Sequence, residues 1–183
     1  MEYEKMITLK DGRTCILRNA VAEDAEAVLT NFFLTHSQTV YLASYPGENV
    51  LALSTEKVYL QKIAESDRDV QLVAKVDGII VGSAGVNSIK QVEKMKHRAS
   101  FGISIDQAFW GLGIGRAMME SCIECAKKMG YVQLELEVVA DNKRACALYH
   151  SAGFVEYGRN PKGFRSRLNG WQELVLMRKE LTE

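Results

Sequence analysis

The sequence has few residues that would interrupt or cross-link a fold. Among its 183 residues are only two prolines and four cysteines, and no segment is of low complexity. A chain of this length can bury about 70% of the surface that its unfolded form exposes, so it needs no stabilising cross-links. We therefore expect one ordered domain over residues 1–183.

Long apolar segments are also missing. No run approaches the roughly 18 apolar residues of a membrane-spanning helix. The first residues, Met1–Lys5, lack the apolar stretch of a secretory signal. Cys122 and Cys125 have the spacing of a metal-binding pair, but no second pair of ligands lies near them in the sequence. We expect a cytoplasmic protein without a metal and without a membrane partner.

An excess of one charge is absent as well. Lysine and arginine number 23, and aspartate and glutamate also number 23. Domains that bind nucleic acid usually carry a basic excess. We therefore expect no nucleic-acid partner.

Apolar spacing along the chain predicts seven strands and four helices. Two residues, Asp77 and Gly78, separate two strands and are typical of a hairpin turn. Consecutive hairpin strands exclude an all-parallel sheet, whereas a strand–helix–strand step requires one parallel crossover. The pattern predicts an α/β (α+β) fold with a mixed sheet and helices on both faces. The strands are expected near residues 13–18, 70–76, 79–85, 96–105, 132–139, 154–159 and 171–178.

A turn with three alternate glycines joins the strand that ends at Ile105 to a long helix. The glycines are Gly111, Gly113 and Gly115. Unpaired amides and the positive end of the helix macrodipole attract anions, and glycine lets an anion approach the backbone closely. The segment therefore predicts a pyrophosphate site.

A dinucleotide-binding fold is one alternative for this turn. It requires a last glycine or alanine at a fixed spacing and an acidic residue about 20 residues later. Glu135 or Glu137 would supply the acid, but Arg116 and Met118 occupy the two candidate positions of that last glycine. The spacing disfavours this interpretation.

A second motif follows the helix. Residues 142–154 match the pattern N-x-x-A-x-x-L-Y-x-x-x-G-F, and residues 110–115 match Q/R-x-x-G-x-G/A except for Trp110 at its first position. Together these motifs resemble the GNAT superfamily of N-acetyltransferases. The resemblance implies a single-domain GNAT fold with a mixed, mostly antiparallel, seven-stranded sheet and a splayed central strand pair. It places an acceptor-side part at about 13–66 and an acetyl-CoA-binding core at about 96–154.

The resemblance also implies which residues hold acetyl-CoA, the expected co-substrate. The pantetheine arm is expected to lie between the splayed strands and to pair with Ile103, Ser104 and Ile105. Asn142 is expected to cap its helix and to bond the same arm. The backbone amides that would hold the pyrophosphate belong to Gly111, Leu112, Gly113, Ile114, Gly115 and Arg116.

Two residues are expected to carry the proton transfers, since an amine with a pKa of about 10 must lose a proton before it attacks a thioester. The resemblance places a general acid at Tyr149, which also contacts the cofactor, and a general base at Glu137. Tyr149 also fits a packing stripe of its helix, so a structural role stays open. Glu135, His97 or water remain alternatives to Glu137.

The acceptor is expected between the segment 35–53 and the loop 161–170. A basic cluster lies in or beside that loop and comprises Arg159, Lys162, Arg165 and Arg167. It is either a solvated face or a site for an acceptor carboxylate or phosphate.

We predict transfer of an acetyl group to a primary amine by direct attack, on a small molecule or amino acid. Acetylation of protein N-termini of the ribosomal-protein type, with a peptide acceptor, and a non-catalytic acetyl-CoA-binding regulator are the alternatives. A homodimer is a possible assembly.

Overall fold

The computed structural model describes residues 2–48 and 51–181, which form one eight-stranded sheet and four α-helices. The strands are β1 (Glu4–Thr8), β2 (Thr14–Asn19), β3 (Val70–Val76), β4 (Ile79–Ser88), β5 (Arg98–Ile105), β6 (Gln133–Val139), β7 (Val155–Ser166) and β8 (Gly170–Glu180). The helices are α1 (Ala25–Gln38), α2 (Leu53–Ala64), α3 (Ile114–Lys128) and α4 (Lys143–Ser151). None of the described helices is long and apolar enough to cross a membrane.

The sheet is mixed, as predicted, but it has one strand more than expected. Its order is β1-β2-β3-β4-β5-β6-β8-β7, and only β5 and β6 run parallel within the described sheet. The predicted count of seven is wrong because β1 was missed. That strand lies at the sheet edge, and Met6 in its centre is 70% exposed. An exposed edge strand lacks the alternation of buried residues by which strands are found in a sequence.

Helices cover both faces of the sheet, which confirms that prediction. Strand β3 shows the two faces, because successive side chains of a strand point to opposite sides. Leu72 belongs to the large core beneath α3, together with Met118. Val73 belongs to a smaller cluster beneath α1 and α2, together with Leu60.

The sequence predicted one connection between strands correctly and another incorrectly. Asp77 (φ 50°) and Gly78 (φ 84°) form the predicted hairpin turn between β3 and β4. The segment expected as a loop at 161–170 is mostly strand, since β7 continues to Ser166. Its pairing with β8 shifts register between Asn160 and Phe164, and such an irregularity on an edge strand accommodates Pro161.

The central strands β5 and β6 separate after a short shared segment. They pair over three positions, Arg98–Ser100 with Gln133–Glu135. Beyond that point β5 pairs only with β4, and β6 pairs only with β8, among the strands described. The predicted splayed pair is therefore confirmed, and each strand keeps one unpaired edge that faces a gap.

Candidate functional site

A cavity of about 860 Å³ occupies the gap between β5 and β6. Its walls are formed by both strands, by the glycine turn before α3, by α4, and by the segment that follows α1. This volume lies within the range of pockets that enclose a small organic ligand. The splay of the sheet is thus what creates the site.

The glycine turn lines this cavity at Gly111, Gly113, Gly115 and Arg116, and its amides lack acceptors in the part of the chain that is described. Gly111 (φ 85°) and Gly113 (φ 103°) have left-handed backbones, which glycine adopts without strain. Gly113 caps α3 without any side-chain hydrogen bond. Among the described residues, no backbone or side-chain acceptor takes a hydrogen bond from the six amides of residues 111–116. Six free donors at the positive end of a helix make an anion site.

Most residues predicted to bind the cofactor line the cavity, and two do not. The side chain of Ile114 is only 1% exposed and lies in the core. Leu112 packs against the same core, and its carbonyl accepts a hydrogen bond of 3.2 Å from the Lys10 amide. These two residues have only backbone amides to offer. The lining residues are Ile103, Ser104, Ile105, Gly111, Gly113, Gly115, Arg116, Asn142 and Tyr149.

Asn142 begins α4, as predicted. Its Oδ1 accepts a hydrogen bond of 3.2 Å from the amide of Ala145. The NH₂ group of the same side chain takes no part in that bond, and Asn142 lines the cavity. The capping role is confirmed, and the bond to a pantetheine arm stays a prediction.

Tyr149 is held on α4 by aromatic packing. Its ring lies 6.2 Å from that of Phe101 and 6.0 Å from that of Phe154, measured between centroids. The residue is 8% exposed, and burial raises the pKa of its phenol above the ordinary value. Tyr149 therefore keeps its proton at neutral pH. Its hydroxyl has no hydrogen-bond partner in the part of the chain that the structure describes, and the residue lines the cavity.

Glu135 is engaged in a structural ion pair at the point where the strands separate. Arg98 donates two hydrogen bonds to its carboxylate, one of them 2.7 Å long, and Gln133 donates a third at 2.7 Å. The bonds from Arg98 hold the pKa of Glu135 below its usual value. A carboxylate stabilised in this way is a poor proton acceptor, which disfavours Glu135 as a base.

Glu137 lies two residues beyond Glu135, the last residue of β6 that pairs with β5, and it lines the cavity. It is exposed and takes part in no ion pair found among residues 2–48 and 51–181. His97 is also exposed, but it precedes β5 at the closed end of the strand pair and does not line the cavity. The structure therefore brings Glu137, and not His97, to the site.

One side of the cavity is bordered by the segment that follows α1, which docks on the β7–β8 hairpin. The Tyr45 hydroxyl accepts a hydrogen bond of 2.6 Å from the Arg167 amide, and Gln172 donates one of 3.2 Å to the Val40 carbonyl. A second cavity of about 310 Å³ lies between this segment and the β7–β8 hairpin, and Phe164 lines both cavities. The predicted acceptor segment 35–53 includes Asn49 and Val50, which lie outside the described residues.

The basic cluster is largely committed to intramolecular contacts. Arg159 pairs with Glu156 at 2.7 Å and with Glu173 at 2.8 Å. Arg167 lies over the Tyr45 ring, 4.1 Å from its centroid. Lys162 and Arg165 both lie over the Trp171 ring, 5.5 Å and 5.4 Å from its centroid, and Arg165 also lines the smaller cavity. Of this cluster, Arg165 remains as a candidate contact for an acceptor.

Tyr157 and Phe164, both on β7, are lining residues that sequence reasoning missed. Tyr157 lies beside Glu135, and burial together with that carboxylate raises the pKa of its phenol. Alternation along β7 was the available signal, but the face that it presents depends on pairing with β8.

No group of three or more His, Cys, Asp or Glu side chains suited to a metal ion occurs among the residues described.

Comparison with known proteins gives matches over most of the chain. A family model described as the acetyltransferase (GNAT) family matches residues 33–154, which include both motifs. The chain is 30% identical over 148 residues to the L-amino acid N-acetyltransferase AaaT of Escherichia coli, covering 80% of this chain and 86% of that protein.

Solved structures agree with the fold. An acetyltransferase of the GNAT family from Streptococcus pneumoniae superposes with a TM-score of 0.86 at 25% identity, covering 92% of this chain and 99% of that one. The structure of yncA from Salmonella typhimurium, determined with its cofactor acetyl-CoA, gives a TM-score of 0.80 at 17% identity, covering 98% of this chain and 95% of that one.

Proposed function

Since this chain belongs to the GNAT acetyltransferase family and transfers an acetyl group from acetyl-CoA to an amine, we propose that its acceptor is a small amine of the amino-acid class. The supporting observation is the docked segment at the acceptor side. Its hydrogen bonds from Arg167 and Gln172 hold it against the β7–β8 hairpin and leave a recess of about 310 Å³. A recess of this volume suits a compact substrate better than a polypeptide, which needs a longer groove.

Charge placement favours an acceptor that carries both an ammonium and a carboxylate. Glu137 lines the main cavity and would attract the ammonium. Arg165 lines the smaller cavity and would pair with the carboxylate. The two cavities share the apolar residues Leu42, Ala43 and Phe164, which would contact the acceptor side chain.

The proposed reaction uses the residues of the cavity in fixed roles. The turn amides hold the pyrophosphate, and the free edge of β5, at Ile103–Ile105, binds the pantetheine arm. Glu137 accepts a proton from the acceptor ammonium, directly or through water, and the freed amine attacks the thioester carbon. As the C–N bond forms, the C–S bond breaks, and Tyr149 donates its proton to the departing sulfur. The second proton of the attacking nitrogen then passes through water to the Tyr149 phenolate, which restores the acid.

The proposal divides the chain as the sequence suggested. Residues 13–66 serve the acceptor side and residues 96–154 bind acetyl-CoA, within a single domain over 1–183. The β7–β8 hairpin is added to the acceptor side, because Phe164 and Arg165 line its cavities. We further propose a cytoplasmic location, where acetyl-CoA is available. The homodimer stays a prediction.

An acceptor panel tests this proposal through release of the coenzyme A thiol. Free L-amino acids should show kcat/KM values at least about 10-fold above those of the corresponding amines without a carboxylate, since a charge-assisted hydrogen bond contributes about 1.5–3 kcal/mol. Peptides with free N-termini should be poorer still. A preference for peptides would instead indicate protein N-terminal acetylation, and tight acetyl-CoA binding without thiol release from any amine would indicate a regulator.

Glu137→Gln should lower kcat/KM for the preferred amine about 100-fold and change the acidic limb of its pH profile, because the amide has the same shape but accepts no proton. Acetyl-CoA affinity should stay within about 2-fold of wild type, measured by calorimetry. The matched control is Glu135→Gln, which removes the partner of Arg98 and should lower thermal stability while keeping the pH profile. An unchanged profile in Glu137→Gln would leave water as the base.

A further inference from the structure

A buried glutamine on β8 turns one polar atom into the smaller cavity. Gln172 is 5% exposed and lines that cavity. Its Nε2 donates a hydrogen bond of 3.2 Å to the Val40 carbonyl. A carbonyl can only accept, so this bond identifies the nitrogen of the amide and leaves the oxygen, Oε1, on the other side. Among residues 2–48 and 51–181, no group donates a hydrogen bond to that oxygen.

The unpaired oxygen of Gln172 is still accessible. Within the described chain, the side-chain polar atoms that are fully enclosed and without a partner are Ser88 Oγ and Arg178 Nε, and Gln172 Oε1 is not one of them. The rest of Gln172 is buried, so the surface that remains on Oε1 opens into the cavity that the residue lines. A ligand that brings a donor to this oxygen would satisfy it.

Ser166, on the same face of the β7–β8 hairpin, supplies the opposite polarity. Its Oγ accepts hydrogen bonds of 3.2 Å from the amides of Leu168 and Asn169, which occupy both lone pairs. The hydroxyl proton is left to donate, and no acceptor for it occurs in the portion of the chain described. Ser166 is 8% exposed and lines the same cavity.

The register of the hairpin sets the distance between these two groups. Ser166 pairs with Gly170, two residues before Gln172. Diagonal neighbours of this kind lie about 7–8 Å apart on one face of a sheet. A planar group that has a donor at one corner and an acceptor at the other can therefore bridge the two side chains.

A primary carboxamide is such a group, because its NH₂ donates to Gln172 and its carbonyl accepts from Ser166. The nearby charges also favour a neutral group, since Arg165 is assigned to the α-carboxylate and Glu48 is paired with Arg167 at 3.2 Å. We propose that the smaller cavity binds the side-chain carboxamide of the acceptor, so that the enzyme prefers glutamine or asparagine among the amino acids. This inference rests on the proposed free amino-acid acceptor.

The experiment measures kcat/KM for pairs of amino acids of matched size, by release of the coenzyme A thiol. L-Glutamine is paired with L-methionine, and L-asparagine with L-leucine, because the second member of each pair has no donor. In at least one pair the carboxamide should be favoured about 10-fold or more, since its analogue leaves buried polar groups unpaired. L-Glutamate, which has the shape of glutamine but carries a carboxylate, should also be about 10-fold poorer than glutamine.

Gln172→Met assigns the preference to one side chain. In this variant the ratio of kcat/KM within the favoured pair should fall to within about 2-fold of unity, because the acceptor oxygen is gone. Loss of the bond to Val40 alone would lower both members of the pair together and leave their ratio unchanged. Gln71→Met makes the same substitution on β3, outside both cavities, and should keep the wild-type ratio.

The possible failures are distinguishable. Amino acids that react without a preference for a carboxamide, or with a preference for glutamate, would overturn this inference and leave the free amino-acid acceptor standing. A preference that survives in Gln172→Met would also overturn it. A panel in which peptides react and free amino acids do not would overturn both this inference and the proposed function.

Discussion

Gly113→Asp should raise the dissociation constant of acetyl-CoA at least about 100-fold, to the limit of detection by calorimetry. The new carboxylate would lie at the cap of α3, among the six amides that have no other acceptor in the described chain. It would occupy the anion site from within the protein and repel the pyrophosphate. No atom lies within 4 Å of the position of the new Cβ, so the side chain fits without a clash.

Gly113→Asn is the control that separates charge from backbone strain. Residue 113 has φ 103°, and a side chain there costs about 1–3 kcal/mol in either variant. In the aspartate variant the helix macrodipole offsets part of that cost, so thermal unfolding should show a folded protein. Asparagine should retain most of the affinity. If both variants bind acetyl-CoA with wild-type affinity, the pyrophosphate does not bind at this turn.

Tyr149→Phe should lower kcat about 100-fold or more, while acetyl-CoA affinity changes less than about 3-fold. The substitution keeps the ring between Phe101 and Phe154 and removes only the hydroxyl. Burial raises the pKa of this phenol, so its proton is present when the sulfur departs with negative charge. Loss of a general acid typically costs about 10²- to 10⁴-fold in rate.

Tyr131→Phe provides the comparison for this effect. Tyr131 is also buried, but its hydroxyl donates a hydrogen bond of 2.6 Å to the Arg68 carbonyl and lies outside the cavity. Its loss should reduce the free energy of unfolding by about 1 kcal/mol and leave kcat near the wild-type value. Should Tyr149→Phe turn over within about 2-fold of wild type, Tyr149 is a packing residue and not an acid.

What the sequence predicted depends on how local each feature is. The glycine turn and the cap at Asn142 are encoded within a few residues, so both were predicted at their correct positions. Strand β1 and the extension of β7 lie at the two edges of the sheet and contain no buried apolar residue, so the sequence carries little signal for them, and both were missed.

The sequence named Glu137 as the base but left Glu135 open as an alternative. Glu135 and Glu137 share one face of β6, and no local pattern tells them apart. The ion pair that engages Glu135 comes from Arg98, which the fold brings to it from 37 residues away in the chain. Tertiary contacts of this kind also explain why Arg159 and Arg167 are paired internally, although the sequence placed them in one basic cluster.

The short pairing between β5 and β6 has a consequence for the lifetime of the protein. In the described sheet, the half formed by β1–β5 pairs directly with the half formed by β6–β8 at only three positions. A molecule bound along the free edge of β5 would therefore take the place of a missing strand. Binding to the folded state alone stabilises it by RT ln(1 + [L]/Kd), about 2.7 kcal/mol at 100 times Kd. A fall in acetyl-CoA supply would then increase the unfolded fraction that proteases degrade, and the metabolic state of a cell would set the abundance of this enzyme as well as its rate.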